Sequence, residues 1–507
     1  MIEWDAARVA AAAGASVRRM GSPPTRSPTP GAVEAGGPHR VSIDSRSVRP
    51  GDLFVGLPGE RVDGGAYAAQ ALSAGAWGVL VRPVHADSLE SGSAAAPAPP
   101  LDMPDGSGAG AVLVHPDPLA GLQSLARAWR RALGEAGAKV VAVTGSTGKT
   151  STKDILAALL CGAEGELGGP TVASPANLNT EIGLPLAVLS APRGTRALVL
   201  EMAMRGRGQI AQLTAIAEPE MGLIVNVGPV HLQQLGSLEA VAAAKAELIA
   251  GMAPGATAVV PAGESLLALH LREDLRTVTF GEGGDVELVE RREDGEVTIV
   301  DHTCGGERAS VEAAPGGERG ELIRVRPSFA QSHNLRNLVA AVAAARALGV
   351  TPAGRVEVQF SALRGERIAL PEEIVVINDC YNANPMSMRA ALDDLAASAP
   401  GRRVAVLGDM LELGSEERRL HREIGAYARA RGVELLVAVG QLADEAGEGF
   451  EGEVHCVPDA AGAAEALSGL LRAGDYVLVK GSRGVGLERV AETLQAAASA
   501  PAPAGDR

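Results

Sequence analysis

The segment Val140-Val-Ala-Val-Thr-Gly-Ser-Thr-Gly-Lys-Thr150 constrains the fold more than any other. An unbroken apolar and β-branched run reads as a strand buried on both faces, as in parallel sheets. A glycine-rich turn follows, and a helix is expected from Lys149. A strand that feeds a helix through a tight turn opens a βαβ unit, so the expected class is α/β with parallel sheets covered by helices. The N–H groups of such a turn, together with the helix N-terminus, form a nest for phosphate oxygens. Lys149 would reach the β and γ oxygens of a nucleotide, and Thr150 would ligate Mg²⁺. The general phosphate-loop pattern begins with a glycine where this chain has Val143, so the generic pattern fails at its first element.

Strand and helix signals alternate on either side of this segment. A small α/β unit is expected over Val41–Pro83, with strands at 52–57 and 77–81 around a helix at 66–74. Pro118–Gly134 reads as a helix and Lys139–Thr144 as a buried strand. Strands at 197–200, 222–227 and 256–260 and a helix at 237–250 continue the pattern. Residues 285–300 alternate around Asp294-Gly295 and read as a hairpin. A helix at 334–348 precedes a third block, where strands at 374–377, 403–407, 435–439 and 476–479 predict a second doubly wound sheet. Two stretches rich in Pro, Gly and Ser (21–38 and 87–110) and an Ala/Pro tail (497–507) lack periodic apolar positions and are expected to be mobile. The 507 residues suit about three domains.

Composition narrows the function. Acids outnumber Lys plus Arg 61 to 46, for a net charge of −15, which argues against a nucleic-acid or anionic-membrane coat. Cys161, Cys304, Cys380 and Cys456 form no C-x-x-C pair, so neither a zinc cage nor a disulfide framework is expected. No basic, apolar leader and no run of about 18 apolar residues is present, and a cytoplasmic protein is expected. Of the 46 basic residues only five are lysine, at 139, 149, 153, 245 and 480. A chain that uses Arg almost everywhere keeps Lys where a compact, deprotonatable amine is needed, or by chance.

Several further residues could carry chemistry. Ala197-Leu-Val-Leu-Glu201 ends a strand in a carboxylate, where open sheets bind ligands; Glu201 could equally be an exposed strand end. His231 follows another strand end and could be a ligand or a structural histidine. Lys245 sits in an Ala-rich helix, either as a functional amine or on a solvated face. Asn334 and Asn337 are one turn apart, as an adenine-reading pair or as polar surface. Asn378–Pro385 crowds polar groups after a strand, and Gly408–Gly414 and Lys480–Arg483 do so again.

Taken together, Thr144–Thr150, Glu201-Met202, His231, Lys245, His333-Asn334 with Asn337, and Asp379–Pro385 resemble the Mur ligases, from about Val41 to Val490. The Asp379-x-Tyr-Asn-Ala-Asn-Pro385 element and Asp44–Phe54 point to the branch that adds D-alanyl-D-alanine. The resemblance implies three domains: a UDP-substrate-binding domain (1–117, containing both insertions), a central ATP-binding domain (118–357) and a C-terminal Rossmann-like ligase domain (358–496), then the tail. It implies that UDP-N-acetylmuramoyl-tripeptide and D-alanyl-D-alanine are joined through an acyl phosphate, with ATP cleaved to ADP and phosphate. Gly145, Ser146, Thr147, Gly148, Lys149, Thr150, Ser151, Asn334, Asn337, Arg364 and Asp379 would hold ATP. Arg364 is preferred over Arg367 by its spacing to Asp379. Ser45 and Arg46 would meet the UDP-substrate, and Tyr381, Asn382 and Asn384 the dipeptide. Lys149, Glu201, His231 and Lys245 would be catalytic, with two Mg²⁺ ions held by Thr150, Glu201, His231 and a carbamylated Lys245. A monomer is expected. The rivals are a folylpolyglutamate synthase-like ligase, which would lack the first domain, and a non-catalytic nucleotide-binding relative.

Overall fold

A computed structural model describes residues 4–19, 36–91, 110–163, 167–175, 178–303 and 320–499. Three sheets follow one another along the chain. The first contains β1 (Ser16–Arg19), β2 (Val41–Ser42), β3 (Leu53–Val55), β4 (Gly78–Val81) and β5 (Ala111–Val114), in the order β1-β5-β4-β3-β2. Only β1 runs antiparallel to its neighbour. This strand and the preceding helix Ala6–Ala13 were not expected from the sequence. Asp5 caps that helix and Gly14 ends it in the left-handed conformation, φ 66°, the usual pair of stop signals.

The central sheet contains β6 (Lys139–Thr144), β7 (Thr171–Ala173), β8 (Ala197–Glu201), β9 (Met221–Ile224), β10 (Thr257–Pro261), β11 (Arg276–Phe280), β12 (Val286–Arg291), β13 (Val297–Asp301), β14 (Glu321–Pro327) and β15 (Gly354–Val356). Its order is β15-β14-β13-β12-β11-β10-β9-β6-β8-β7. β6 therefore lies between β8 and β9, where the winding reverses, and the glycine turn leaves its C-terminal end there, the usual ligand position in open sheets. The hairpin at 285–300 is present as the antiparallel pair β12 and β13. β9 ends at Ile224 rather than at Val227, so Val225–Val230 is turn, free to approach the glycine loop.

The third sheet has the order β16-β17-β21-β18-β19-β20, from β16 (Glu366–Ala369), β17 (Val375–Asn378), β18 (Arg403–Gly408), β19 (Leu435–Val439), β20 (Glu453–Val457) and β21 (Tyr476–Lys480). All but β16 pair in parallel. Helices cover both faces of this sheet and separate its core into two clusters.

The units are not packed independently. The helix Pro118–Glu135 buries Leu122, Leu125 and Trp129 in a core that also holds Leu53 and Leu80 of the first sheet and Leu198 and Leu200 of the central one. Trp129 meets Trp4 edge-on at 5.4 Å and donates its indole N–H to Ala191 O at 3.0 Å. At the other joint, Ser361 donates N–H and hydroxyl to the Asp154 carboxylate, both at 3.0 Å.

Two expectations of mobility are corrected in part. Residues 87–91 belong to the helix Pro83–Ser91, and residues 497–499 complete the helix Glu488–Ser499. Ala86 anchors the first of these on the sheet, and alanine is the best helix former in the tail. Residues 92–109 and 500–507, most of the 21–38 stretch and Cys304 lie outside the described residues. Cys380 and Cys456 are free thiols. No helix among the described residues is long and apolar enough to cross a membrane.

Candidate active site

The glycine loop is clamped before any ligand arrives. Asn226, in the turn after β9, accepts from Ser146 N at 3.0 Å and Thr147 N at 2.9 Å, and donates to Thr147 O and Oγ1 at 3.1 Å each. Ser146 donates its hydroxyl to Gly228 O at 3.0 Å. Gly148 has φ +75°, and a Cβ there would lie 2.6 Å from Asn337 Oδ1. Glycine is thus required twice over, by backbone and by space. Lys149 donates to Gly145 O at 2.9 Å. Burial lowers its pKa; Glu201 opposes the shift and Arg364 adds to it.

Glu201 is not an exposed strand end: it is 3% exposed. Its Oε1 accepts from Asn179 Nδ2 at 2.9 Å, while Oε2 is buried with no hydrogen-bond partner among the described residues. An orphaned carboxylate oxygen is costly unless a cation completes it. Thr150 is buried beside it and accepts from Arg364 at 3.2 Å. Glu201 and Thr150 therefore fit a Mg²⁺ site, whose ligands are oxygens. Lys245 is not on a solvated face either. It is 1% exposed and has no ion-pair partner among the described residues. Burial, reinforced by Lys149, holds its pKa well below that of a free amine. His231 has its pKa lowered by burial, with Glu412 opposing and Lys149 and Lys245 reinforcing.

Two cavities meet on this loop. One of about 1570 Å³ is lined by Thr147, Gly148, Ser151, Asn334, Asn337, Arg364 and Asp379. The other, about 950 Å³, is lined by Ser146, Lys149, Thr150, Glu201, His231, Tyr381, Asn382 and Asn384. Thr147, Gly148, Arg364 and Ser387 line both. Arg364 crosses from the third unit to the loop and stacks on the Tyr381 ring at 4.0 Å, a cation–π contact. Arg367 instead pairs with Asp394 at 3.3 Å and Ser398 at 2.8 Å, within the third unit.

Asn334 and Asn337 are both buried, and Asn337 donates to Asn334 Oδ1 at 3.2 Å. Asn384 caps the helix Pro385–Ser398, its Oδ1 accepting from Ser387 N at 3.0 Å, which leaves its NH₂ for a ligand. Ser45 and Arg46 line neither cavity; the Arg46 guanidinium turns back onto Asp44 at 2.9 Å. Lys245 lines neither cavity. Sequence reasoning gives no role to Asn179 and Asn226; it marks the Gly408–Gly414 turn without singling out Glu412, and Lys480–Arg483 as a cationic turn suited to an anion. Lys480, 2% exposed, donates to Asp379 Oδ2 at 2.6 Å and Asn382 O at 3.0 Å, which fixes the polar turn after β17. The scarcity of lysine and the cationic strand-end turn Lys480–Arg483 are its sequence signals.

Residues 38–130, 143–345 and 363–483 match the models of the Mur ligase family catalytic domain, the Mur ligase middle domain and the Mur ligase glutamate ligase domain. A Bacillus subtilis protein named UDP-N-acetylmuramoyl-tripeptide--D-alanyl-D-alanine ligase is 33% identical over 469 residues, covering 90% of this chain and 93% of its own length. The chain belongs to the Mur ligase family. Among solved Mur ligases, a MurF from Acinetobacter baumannii superposes with TM-score 0.76 at 28% identity, covering 97% of this chain and 99% of its own. A MurF ligase from Thermotoga maritima, solved in complex with ADP, gives TM-score 0.69 at 27% identity over 90% of this chain and 97% of its own. The three-domain α/β architecture expected of a Mur ligase is the one observed.

Proposed function

We propose that this chain is the ATP-dependent amide ligase that joins D-alanyl-D-alanine to UDP-N-acetylmuramoyl-tripeptide, forming the UDP-muramoyl-pentapeptide precursor of peptidoglycan. The observation that carries this reading is the meeting of two cavities on one phosphate loop. One offers a buried amide pair for a base; the other offers cations and a carboxylate around a reacting acid. The named relatives favour this substrate pair over folate and glutamate, and the first unit, matched over 38–130, has no place in the folate reading. Units 1–117, 118–357 and 358–496 take the UDP-substrate, ATP and the dipeptide respectively.

A carboxylate is a poor acyl donor. Its oxygen attacks the γ-phosphorus of ATP, the bond to ADP breaks, and an acyl phosphate forms. The dipeptide amine then attacks the acyl carbon, phosphate leaves, and the amine proton is lost. The first step brings two anions together, so catalysis is chiefly positioning and charge neutralisation. Lys149 and Arg364 neutralise the phosphates. Asn334 and Asn337 hold adenine, and Asp379 supports the nucleotide across the joint. Ser45 and Arg46 hold the UDP end, and Tyr381, Asn382 and Asn384 the dipeptide. Thr150 and Glu201 would hold one Mg²⁺, His231 and Lys245 a second. Mg²⁺ bound there would supply charge neutralisation for the developing anions. An ammonium cannot ligate Mg²⁺, but a neutral buried amine can add CO₂, and the carbamate of Lys245 would supply an oxygen ligand.

The test is phosphate release from Mg-ATP with UDP-muramoyl-tripeptide, the dipeptide being added last, beside a folate-plus-glutamate control. Dipeptide-dependent release with pentapeptide as product is expected. Release with the folate pair alone overturns the substrate assignment, and ATP binding without turnover overturns catalysis.

A further inference from the structure

The turn after β18 is built to hold one side chain in a fixed place. Asp409 N donates to Val439 O at 3.2 Å, and its carboxylate accepts from Gln441 N at 2.9 Å and Leu442 N at 3.1 Å. Met410 N donates to His421 Nε2 at 2.9 Å, and Leu411 N donates to Ser482 Oγ at 2.9 Å. The next residue, Glu412, has φ 65°. His231, on the central unit, has φ 54°. Left-handed backbone is unfavourable for residues other than glycine and persists where surroundings over-determine it, often at functional sites.

These two residues face each other. His231 Nδ1 is hydrogen-bonded to Glu412 Oε2. The main chains meet as well: Gln233 N donates to Glu412 O at 3.2 Å, and a Cβ on Gly414 would lie 3.2 Å from Gln233 Cα. Arg205 approaches the other Glu412 oxygen at 3.7 Å. An ionised carboxylate can only accept, so the contact selects the tautomer with hydrogen on Nδ1. Nε2 keeps its lone pair. His231 and Glu412 both line the cavity shared with Lys149, Thr150 and Glu201.

We propose that Glu412 is a positioning residue that aims the His231 imidazole into the phosphoryl-transfer cavity, and that it can do so only while the third unit is docked on the central one. Docking of the acceptor-binding unit thereby sets the state of a residue on the donor side. A carboxylate that fixes tautomer and ring orientation is a recurrent device behind functional histidines. The inference rests on the ligase reading for its kinetic test alone.

The experiment uses the full chain, ligand-free, with ¹⁵N-labelled histidine, and assigns the His231 signals by their loss in His231→Gln. The wild type should show the Nδ1–H tautomer. Glu412→Ala should shift His231 toward the Nε2–H form, which free imidazoles prefer, and Glu412→Gln, whose amide oxygen still accepts, should keep Nδ1–H. In the ligase assay Glu412→Ala should lower kcat by about 10–100-fold while KM for ATP changes by less than about threefold, the mark of an effect confined to the chemical step. Glu412→Gln should recover most of that loss. An unchanged tautomer in Glu412→Ala overturns the proposal, as does an equal kcat loss in both variants or a loss confined to KM. If the wild type turns over no tripeptide, the ligase reading fails and the tautomer measurement still decides this one.

Discussion

Lys245 shows how much a single side chain reveals once its surroundings are known. In the sequence it is one lysine in an alanine-rich helix. In the fold it is 1% exposed, and burial and Lys149 hold its pKa well below that of a free amine. A permanent guanidinium in the same place could neither lose its proton nor add CO₂. Lys245→Arg should therefore lose activity as completely as Lys245→Ala, by at least the roughly 10–100-fold that loss of a metal site's supporting residues costs. Steady-state ligase rates of the two variants check this; a fully active Arg variant excludes the carbamate. Glu201 teaches the same lesson: the strand-end carboxylate is visible in the sequence, but its buried Oε2, unpartnered among the described residues and suited to a cation, appears only when β6 and β8 lie side by side.

At the scale of elements, buried parallel strands were the easiest to read. Lys139–Thr144 and Leu435–Val439 form over the expected residues because a strand covered on both faces must be apolar throughout. The edge strands β7, β15, β16 and β20 escaped notice because they are short and mostly exposed or half-buried, so their pattern carries no burial signal. β1 was lost for the same reason: Val17 is flanked by Ser16 and Arg18 within four residues. The missing site residues failed differently. Asn226 and Glu412 act across turns that are distant in sequence, and nothing in either segment says what it will face. The Asn378–Pro385 turn shows that one residue of a legible motif can carry a second role. The sequence marks Asn384 as a substrate residue, and its Oδ1 also closes a capping box with Ser387. Asn384→Ala should cost about 1 kcal/mol of stability through the lost cap. Asn384→Ser keeps an N-cap oxygen and removes the amide NH₂, so it should stay near wild-type stability. Denaturant midpoints separate the two variants. A raised KM for D-alanyl-D-alanine in the Ser variant would mark a contact with the dipeptide, and an unchanged one would leave Asn384 as a cap alone.

Across the whole molecule, burial of neutral imidazoles is a shared feature of the three units. The pKa values of His85, His231, His333 and His421 are all lowered, each with burial as the largest cause. His421 shows why in terms of hydrogen bonds: Nδ1 pairs with Glu417 O at 2.7 Å, and Nε2 accepts from Met410 N at 2.9 Å. A protonated ring cannot accept, so charging His421 would break the second bond as well as desolvate a cation. The unfolded chain titrates these histidines near 6.5, while the native protein holds off protonation to lower pH. Between the two values the unfolded state binds more protons, so stability is present above about pH 6.5 and is lost as pH falls toward the native values. Asp394, whose pKa is raised by burial, acts in the opposite direction, but near the carboxylate range and as one group against four. The metal-free protein should therefore unfold at lower denaturant concentration at pH 5.5 than at pH 7.5. His421→Gln, whose amide oxygen can still accept from Met410 N, should reduce that difference. Equal midpoints at the two pH values, or a higher one at pH 5.5, would show that these imidazoles take up protons in the native state as readily as in the unfolded chain.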